Sequence, residues 1–252
     1  MNGYFYFEGR PLSRDEALMQ CANLGDVIIK PSLTGRGQDV RRVTIAGGHV
    51  QPDGGSVDDL FTTFKSDFLI EERIRQHAGM TALNPSSVNT IRIVTYRSGM
   101  EIHVVYAVIR IGRMNQSIDN ESAGGISARI NPDGTLGKYA YGAPGNDRIE
   151  YTDSGIKLEG YKIPSYLEVL DLAKKAHFEL PYFNIIGWDF SVEEDGTPTL
   201  IEFNTTPDLS QSAQGPAFGV FTEEILKAAM RHQNTWSRVA LEQIWKKNTL
   251  VG

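Results

Sequence analysis

Residues 185–207, IIGWDFSVEEDGTPTLIEFNTTP, decide most of the fold. The pair Asp195-Gly196 is a strong turn signal between two alternating apolar runs, so the stretch predicts a β-hairpin. A loop symmetric about that pair places Asp189 directly opposite Glu202. Side chains alternate between the two faces of a strand, which predicts one polar and one apolar face. The expected polar face carries Gly187, Asp189, Ser191, Leu200, Glu202 and Asn204, and the apolar face carries Ile186, Trp188, Phe190, Val192, Ile201 and Phe203.

The polar face of this hairpin predicts a metal site. Two carboxylates that face each other across a strand pair repel, unless a cation lies between them. The oxygens of Asp189, Glu202 and Asn204 are of the type that Mg²⁺ prefers. The alternative is a surface hairpin with a solvated polar face. Pro198 leaves this open, because it suggests an edge strand or a longer loop, and an odd loop length would turn Glu202 to the other face.

A second feature lies upstream, at residues 26–40, DVIIKPSLTGRGQDV. A short apolar strand ends in Lys30, and Gly35 and Gly37 follow in a polar loop. Glycines let backbone amides approach an anion closely, and the lysine adds a positive charge, so the segment suits a phosphate. It matches neither the Walker pattern nor the dinucleotide fingerprint. A glycine-containing hairpin loop explains the segment equally well.

These motifs together resemble those of ATP-grasp enzymes, in the same order along the chain. The sequence is most similar to the sugar-transfer associated ATP-grasp family, for which residues 84–92, NPSSVNTIR, are typical. More distantly it is similar to D-alanine:D-alanine ligase and to the ligase that adds glutamate to a ribosomal protein. The resemblance covers roughly residues 2–220. It rests on Lys30-Pro31 with its glycine loop, on Phe68–Ile74, on Asn89–Thr95, on Asp189 and on Glu202-Phe203-Asn204.

The resemblance implies an α+β protein with the ATP-grasp fold, in which two α/β lobes with mixed and antiparallel sheets sandwich a nucleotide. The whole chain is then one catalytic domain. The small lobe spans about residues 1–75 and the large lobe about residues 76–232. Two C-terminal helices are expected at about residues 222–247.

The resemblance also implies roles for individual residues. Lys30 contacts the nucleotide phosphates, and residues 32–38 form the glycine loop that closes over them. The hinge at residues 71–74 holds the adenine. Arg92 and Arg110 lie near the transferred phosphate. The implied sets are Lys30, Ser32, Gly35, Gly37, Glu71, Glu72 and Ile74 for the nucleotide, Arg92 and Arg110 for catalysis, and Asp189, Glu202 and Asn204 for the metal.

The implied activity is an ATP-dependent carboxylate–amine ligase that works through an acyl phosphate. Its cofactors are ATP and Mg²⁺, with Mn²⁺ as a substitute, and its partners are a small carboxylic acid and an amine or other nucleophile. The resemblance suggests a role in the synthesis of cell-surface polysaccharide or peptide. Two alternatives stay open, a phosphotransferase of the same fold and a nucleotide-binding module without catalysis.

The chain departs from the family pattern at its start and after Pro207. Only 29 residues precede Lys30, none of them a lysine, so the usual N-terminal domain and its phosphate-contacting lysine are expected to be absent or supplied by a partner. A second subunit could complete the pocket, which suggests a homodimer. Asp208 stands where many relatives have glycine, so the acceptor side of the pocket is expected to differ.

Composition narrows the function classes further. The 252-residue chain has a net charge of -6 and no basic block, which argues against binding to nucleic acid. Its single cysteine, Cys21, favours a reducing cytoplasm. No apolar run is long enough for a membrane span, and the N-terminus lacks the features of a secretory signal. The scattered histidines show no zinc spacing, and no G-x-S-x-G motif is present.

Local patterns predict the main elements. Ser13 and Glu16 form a capping box, which begins a helix. The alternation of Ile102, Val104, Tyr106 and Val108 indicates one buried strand face. A polar loop at residues 115–125 suggests a lid. Helices are expected at 13–24, 56–64, 164–178, 222–232 and 235–247, and strands at 26–30, 40–46, 67–72, 89–97 and 101–111.

Overall fold

The computed structural model describes residues 4–32, 39–52, 54–64, 67–113, 119, 124–142, 148–208, 215 and 218–232. Its strands are β1 (Phe5–Phe7), β2 (Arg10–Leu12), β3 (Gly25–Pro31), β4 (Arg41–Ala46), β5 (His49–Gln51), β6 (Phe68–Glu72), β7 (Thr90–Ser98), β8 (Glu101–Ile111), β9 (Ile126–Ile130), β10 (Leu136–Gly142), β11 (Ile185–Val192) and β12 (Pro198–Asn204). Its helices are α1 (Arg14–Cys21), α2 (Val57–Thr63), α3 (Ala78–Thr81), α4 (Tyr166–Phe178) and α5 (Thr222–His232).

The strands form three sheets. One has six strands in the order β10-β9-β8-β7-β11-β12, one has four in the order β5-β4-β3-β6, and β1 pairs with β2. All strand pairs in these sheets are antiparallel. The predicted α+β class is confirmed.

The hairpin of β11 and β12 sets the register of the six-stranded sheet. Asp189 pairs with Glu202, as the sequence predicts, and Gly187 pairs with Asn204. The loop, however, is odd, since Val192 pairs with Pro198, and its Gly196 has a φ of 89°. A β-bulge at Ile201 adds one residue to β12 and restores the register at Asp189.

The bulge overturns one detail of the predicted hairpin. Leu200 was expected beside the carboxylates on the polar face. It instead pairs with Phe190, on the apolar side, and 41% of its surface is exposed. The expectation failed because it assumed an even loop and an unbroken alternation, and the bulge breaks that alternation between Leu200 and Glu202.

A second bulge corrects the expected alternation of β8. Val94 pairs with Tyr106, but Thr95 pairs with Val104, so Val105 is an extra residue. As a result Val104 packs against the main core, whereas Tyr106 and Val108 cluster with Val94 on the opposite face. The prediction of a single buried face for this strand was therefore wrong.

The main core lies between the six-stranded sheet and α4. Trp188 and Phe190 of β11 are almost fully buried against this helix and its flanking loops. A buried polar network crosses the same interface. Trp188 Nε1 donates to Thr95 Oγ1 at 2.7 Å. The same hydroxyl oxygen lies 2.7 Å from His177 Nδ1. His177 Nε2 lies 2.9 Å from the Phe183 carbonyl oxygen and donates to it, so Nδ1 accepts from the threonine hydroxyl.

The four-stranded sheet has a separate core. Val27 and Ile29 of β3 and Val43 and Ile45 of β4 face α1 and α2. The predicted capping box of Ser13 and Glu16 is confirmed at the start of α1. The opposite face of this sheet carries Lys30 and Glu71.

Some elements carried no clear sequence signal, namely β1, β2, β5, α3, β9 and β10. These are three to seven residues long. Of the expected lid, only Asp119, Gly124 and Gly125 are described, and the expected helix at 235–247 lies outside the described residues. In the part of the chain that the structure describes, no helix is long and apolar enough to cross a membrane.

Thr95→Val is expected to destabilise the fold by about 2–4 kcal/mol, because the isosteric change leaves buried polar atoms of Trp188 and His177 without partners. Urea unfolding measures this difference. Thr199→Val is the control, because Thr199 lies half-buried on the edge strand β12 and its hydroxyl donates to Glu193 Oε1. We expect this change to destabilise the fold by less than about 1 kcal/mol. Equal effects of the two changes would contradict the structural role of the network.

His177 is expected to make stability depend on pH. Burial lowers the pKa of His177, as does the positive charge of Arg97, although the bond to Phe183 opposes the shift. Below the ordinary histidine pKa of about 6.5, His177 takes up a proton in the unfolded chain more readily than in the folded protein. The free energy of unfolding is therefore highest above that pH and decreases as the pH falls through the folded-state pKa of His177. Urea unfolding at pH 7.5 and 5.5 should show this loss, and His177→Gln should reduce it. An unchanged loss in the variant would refute the assignment.

Candidate active site on the six-stranded sheet

Charged side chains converge on the sheet face that points away from the main core. Asp189 on β11, the strand next to the edge strand β12, has Arg92 of β7 as its register partner on one side and Glu202 of β12 on the other. Arg110 of β8 is paired with Thr90, two residues before Arg92. Asn204 follows Glu202 by two residues and so lies on the same face. The structure thus brings together five residues that the sequence singled out.

The centre of this group is a buried ion-pair cluster. Arg92 donates from Nε to Asp189 Oδ1 at 2.5 Å and from Nη2 to Oδ2 at 2.8 Å. Arg110 Nη2 lies 3.0 Å from the same Oδ2. Asp189 is only 1% exposed, and both arginines are buried. The two arginines therefore engage both oxygens of the carboxylate.

These contacts decide the charge of Asp189. Burial alone would raise its pKa, but the hydrogen bonds from Arg92 and the charges of Arg110 and Arg92 outweigh burial and lower the pKa. Burial likewise opposes the charge of Arg92, yet its bonds to Asp189 raise its pKa above the usual value. Removing either partner of such a pair leaves an uncompensated buried charge, which costs about 3–5 kcal/mol.

Glu202 differs from Asp189 in its environment. Its pKa is raised, first by burial, then by the negative charge of Asp189 and by a hydrogen bond to it. Asn204 Nδ2 lies 3.5 Å from Glu202 Oε1. The carboxyl–carboxyl repulsion that the sequence predicts is therefore present, and the charge of Arg110 offsets only part of it at Glu202.

Asp119 joins the cluster without any signal in the sequence. Its Oδ2 accepts a hydrogen bond from the Thr90 backbone amide at 3.0 Å and lies 3.8 Å from Arg110 Nε. Burial raises its pKa, and the charge of Arg110 opposes that shift. The sequence around Asp119 has no periodic pattern, and its polar character predicted only a lid at residues 115–125, with no role for this carboxylate.

The segment NPSSVN, residues 84–89, holds the start of β7. Asn89 Nδ2 donates to the carbonyls of Met80 at 2.8 Å and Asn84 at 2.9 Å. Asn84 Nδ2 donates to Ser87 Oγ at 3.0 Å. Gln76 Nε2 donates to the Ser87 carbonyl, and Gln76 Oε1 accepts from the Asn89 amide. This buried network fixes the strand from which Arg92 projects.

Gly187 lets the chain after β12 fold back over the site. A Cβ atom built on Gly187 would lie 2.7 Å from Pro207 Cβ and 3.7 Å from Arg92 Cδ. The first distance is shorter than van der Waals contact permits. Only glycine therefore allows Pro207 to lie against β11 beside Arg92.

The remaining candidates lie on the four-stranded sheet and in the segment that follows it. Lys30 Nζ forms an ion pair with Glu71 Oε2 at 2.8 Å. The exposed Ser32 donates its backbone amide to the Asp67 carbonyl at 2.7 Å. Glu72 is exposed and Ile74 is half-buried just after β6. Gly35 and Gly37 lie outside the described residues.

The connection between the two sheets runs through residues 73–77. The His77 amide donates to the Val192 carbonyl at 2.8 Å, and Gln76 forms a β-bridge with Glu193. This segment therefore links β6 directly to β11. Among the residues that the structure describes, no hydrogen bond or ion pair joins the Lys30–Glu71 pair to the cluster at Asp189.

The predicted metal ligands fit a divalent cation only in part. Within the described ranges, no group of three or more His, Cys, Asp or Glu side chains could hold a metal ion. The candidate set has two carboxylates and one amide, which are oxygen donors of the type Mg²⁺ takes. The Glu202 side of the set suits a cation, because a positive charge there would relieve its repulsion from Asp189. On the other side, Arg92 and Arg110 compete for the oxygens of Asp189.

Solved structures of similar shape include N5-carboxyaminoimidazole synthetase from Staphylococcus aureus with ADP, at 11% identity and a TM-score of 0.42, over 83% of this chain and 41% of that chain. The ATP-grasp ligase PsnB with precursor peptide PsnA2 and AMPPNP matches at 13% identity and a TM-score of 0.44, over 84% of this chain and 48% of that one. The L-amino acid ligase from Bacillus licheniformis matches at 12% identity and a TM-score of 0.37, over 75% and 33%. The chain thus spans less than half the length of each of these three.

The comparison with curated proteins returns no match. The family model described as sugar-transfer associated ATP-grasp matches residues 5–219, which is most of the chain. This match covers both larger sheets and every candidate site residue. The chain therefore belongs to the sugar-transfer associated ATP-grasp family.

Proposed function

We propose that the protein is an ATP- and magnesium-dependent ligase that joins a carboxylic acid to an amine or another nucleophile. The observation that carries this proposal is the opposition of Asp189 and Glu202 beside two buried arginines, in a chain of the ATP-grasp family. We place this reaction in the synthesis of cell-surface polysaccharide or peptide, a setting that the association of the family with sugar transfer supports. The proposed partners are a small-molecule acid and its acceptor.

In this proposal the four-stranded sheet and the hinge bind the nucleotide. Lys30 contacts the phosphates, and its ion pair with Glu71 holds the ammonium group in place before ATP arrives. Glu71 and Glu72 and the backbone near Ile74 hold the adenine. Ser32, Gly35 and Gly37 belong to the loop that covers the phosphates. The small lobe then comprises residues up to about 75 and the large lobe the rest.

Asp189, Glu202 and Asn204 would hold Mg²⁺, with Mn²⁺ as a substitute. The bound ion would neutralise phosphate oxygens and orient the terminal phosphate. The protein's own contribution is the fixed placement of the ligands, since Asp189 is locked by β11 and by its arginine contacts, and Glu202 and Asn204 project from the neighbouring strand.

The proposed reaction has two steps. A carboxylate oxygen of the acid attacks the terminal phosphorus of ATP, the bond to the bridging oxygen breaks, and ADP leaves. The amine nitrogen then attacks the carbonyl carbon of the acyl phosphate, phosphate leaves with the bonding electrons, and the nitrogen loses a proton. Arg92 and Arg110 stabilise negative charge on the phosphoryl oxygens in both steps, because a guanidinium binds oxygen pairs bidentately and keeps its charge when buried.

One observation favours a second candidate, a nucleotide-binding module without catalysis. Both oxygens of Asp189 are already held by arginines, so the cluster is stable without a metal. Such a module would bind ATP but would form no acyl phosphate. A phosphotransferase of the same fold would transfer phosphate to its substrate and form no amide.

Calorimetry of ATP binding with and without Mg²⁺ tests the proposal. We expect wild type to bind ATP more tightly with Mg²⁺, and Glu202→Gln to lose at least about tenfold of that gain, which corresponds to about 1.4 kcal/mol. Glu194→Gln is the matched control, because Glu194 is an exposed residue of the same hairpin loop. A magnesium effect that is the same in both variants would refute the metal site.

Hydroxylamine trapping separates the three activities. With a panel of acids and ATP, a ligase should release ADP and give a hydroxamate, because hydroxylamine captures the acyl phosphate. A phosphotransferase should give ADP and a phosphorylated product that hydroxylamine does not change. Binding of ATP without release of ADP for any acid would favour the non-catalytic module.

A further inference from the structure

The two arginines of the cluster differ in their partners. Within the described part of the chain, all hydrogen bonds and ion pairs of Arg92 are with Asp189. Arg110 also contacts Asp189, but its Nε lies 3.8 Å from Asp119, a second buried carboxylate. The side chains of Arg92 and Arg110 are 6% and 9% exposed, so solvent screens neither charge well.

This difference decides what happens if a cation takes the oxygens of Asp189. Arg110 keeps the carboxylate of Asp119 nearby, and its charge stays balanced. Arg92 loses both of its bonds at once, and the remaining carboxylate near it, Glu202, is itself a proposed ligand of the cation. A buried guanidinium without a partner is strongly unfavourable, so metal binding alone creates an unmet charge at Arg92.

A phosphate group supplies the missing partner. Its oxygens match the planar fork of a guanidinium, and the backbone of β7 fixes Arg92 directly opposite Asp189. Pro207 lies against Gly187 beside the Arg92 side chain and narrows the space there. A phosphoryl group next to the metal would therefore lie within reach of Arg92 when it leaves Asp189.

We propose that Arg92, rather than Arg110, couples the two ligands of this site: the metal displaces Arg92 from Asp189, and the phosphate of the nucleotide binds the displaced guanidinium. Neither ligand then binds tightly without the other. This rests on the proposed function, because it assumes that the site binds a nucleotide with its metal. It deepens that function, because it makes the binding of the metal and the binding of the nucleotide depend on the ion pair between Arg92 and Asp189.

Coupling between two ligands is reciprocal, which makes the proposal measurable from either side. If the nucleotide raises the affinity for metal by some factor, the metal raises the affinity for nucleotide by the same factor. Couplings of this kind typically lie between about 5-fold and 150-fold. In this proposal Arg92 produces the coupling. Removing its charge should therefore reduce the factor by which each ligand raises the affinity for the other, and not only change the two affinities themselves.

The test uses Mn²⁺ alone, followed through the electron paramagnetic resonance signal of the free ion, and ADP with and without Mn²⁺, followed by calorimetry. Wild type should bind Mn²⁺ weakly without nucleotide and gain at least about tenfold in ADP affinity with Mn²⁺. Arg92→Gln should bind Mn²⁺ more tightly than wild type without nucleotide, because Oδ1 of Asp189 is freed, and its ADP affinity should respond to Mn²⁺ less than about fivefold, the lower limit of typical couplings.

Two further variants make the comparison specific. Arg110→Gln should keep most of the coupling, because Arg92 still pairs with Asp189. Arg97→Gln removes another arginine from β7, one that donates to the carbonyls of His177 and Phe178 and not to a carboxylate, and it should behave as wild type. If Arg92→Gln does not fold by circular dichroism, Arg92→Lys replaces it, since a lysine keeps the charge but cannot hold both oxygens, and its nucleotide-free Mn²⁺ affinity should rise.

Three results would overturn the proposal. Wild type could bind Mn²⁺ equally well with and without ADP, the folded Arg92 variant could fail to gain affinity for Mn²⁺ alone, or Arg110→Gln could abolish the coupling instead. A wild type that binds no ADP under any condition would refute the proposed function itself. A wild type that binds both ligands independently would leave the function standing and refute only the role of Arg92.

Discussion

The buried contact between Arg92 and Asp189 is the interaction on which the site depends. Asp189 is buried on β11, between β7 and the edge strand β12, where a carboxylate without a partner would be protonated or would destabilise the strand. Two bonds from Arg92 and one from Arg110 keep it charged. The surrounding elements serve this contact, since the network at residues 84–89 fixes the strand of Arg92 and Asp119 stays beside Arg110. The same contact lets the Asp189 carboxylate stay ionised in the interior without a bound cation.

The register of the hairpin could be predicted from the sequence, but the reasoning contained two errors that cancel. Counting from Asp195-Gly196 assumed a loop with equal arms, and the pairing of Val192 with Pro198 is one residue shorter than that assumption. The bulge at Ile201 adds the residue back. Asp189 therefore faces Glu202 as expected, while Leu200, which lies between the turn and the bulge, faces the other way. Alternation predicts faces well only where the ladder is unbroken, and β8 illustrates the same limit at Val105.

The partners of Asp189 could not be derived from periodicity. Arg92 lies 97 positions before Asp189 in the chain, and local patterns carry no information on which strands become neighbours. The resemblance to ATP-grasp enzymes placed both arginines near the transferred phosphate, which stays a prediction, and the structure places both beside Asp189. It did not indicate that they would hold the carboxylate, and it gave no role to Asp119, whose loop has no pattern. The buried network of Thr95, His177 and Trp188 was equally invisible, because each of these residues fits an ordinary strand or helix by itself.

The cancelling bulge and odd loop have a consequence for how this hairpin can change during evolution. A residue gained or lost at the tip, between Glu193 and Thr197, changes only the length of the loop, and loss of Ile201 would remove the bulge while Phe190 still pairs with Leu200 and Asp189 with Glu202. The opposition of the two carboxylates therefore survives changes of length at both places. The turn half of the hairpin can accordingly vary in length without disturbing the charged cluster.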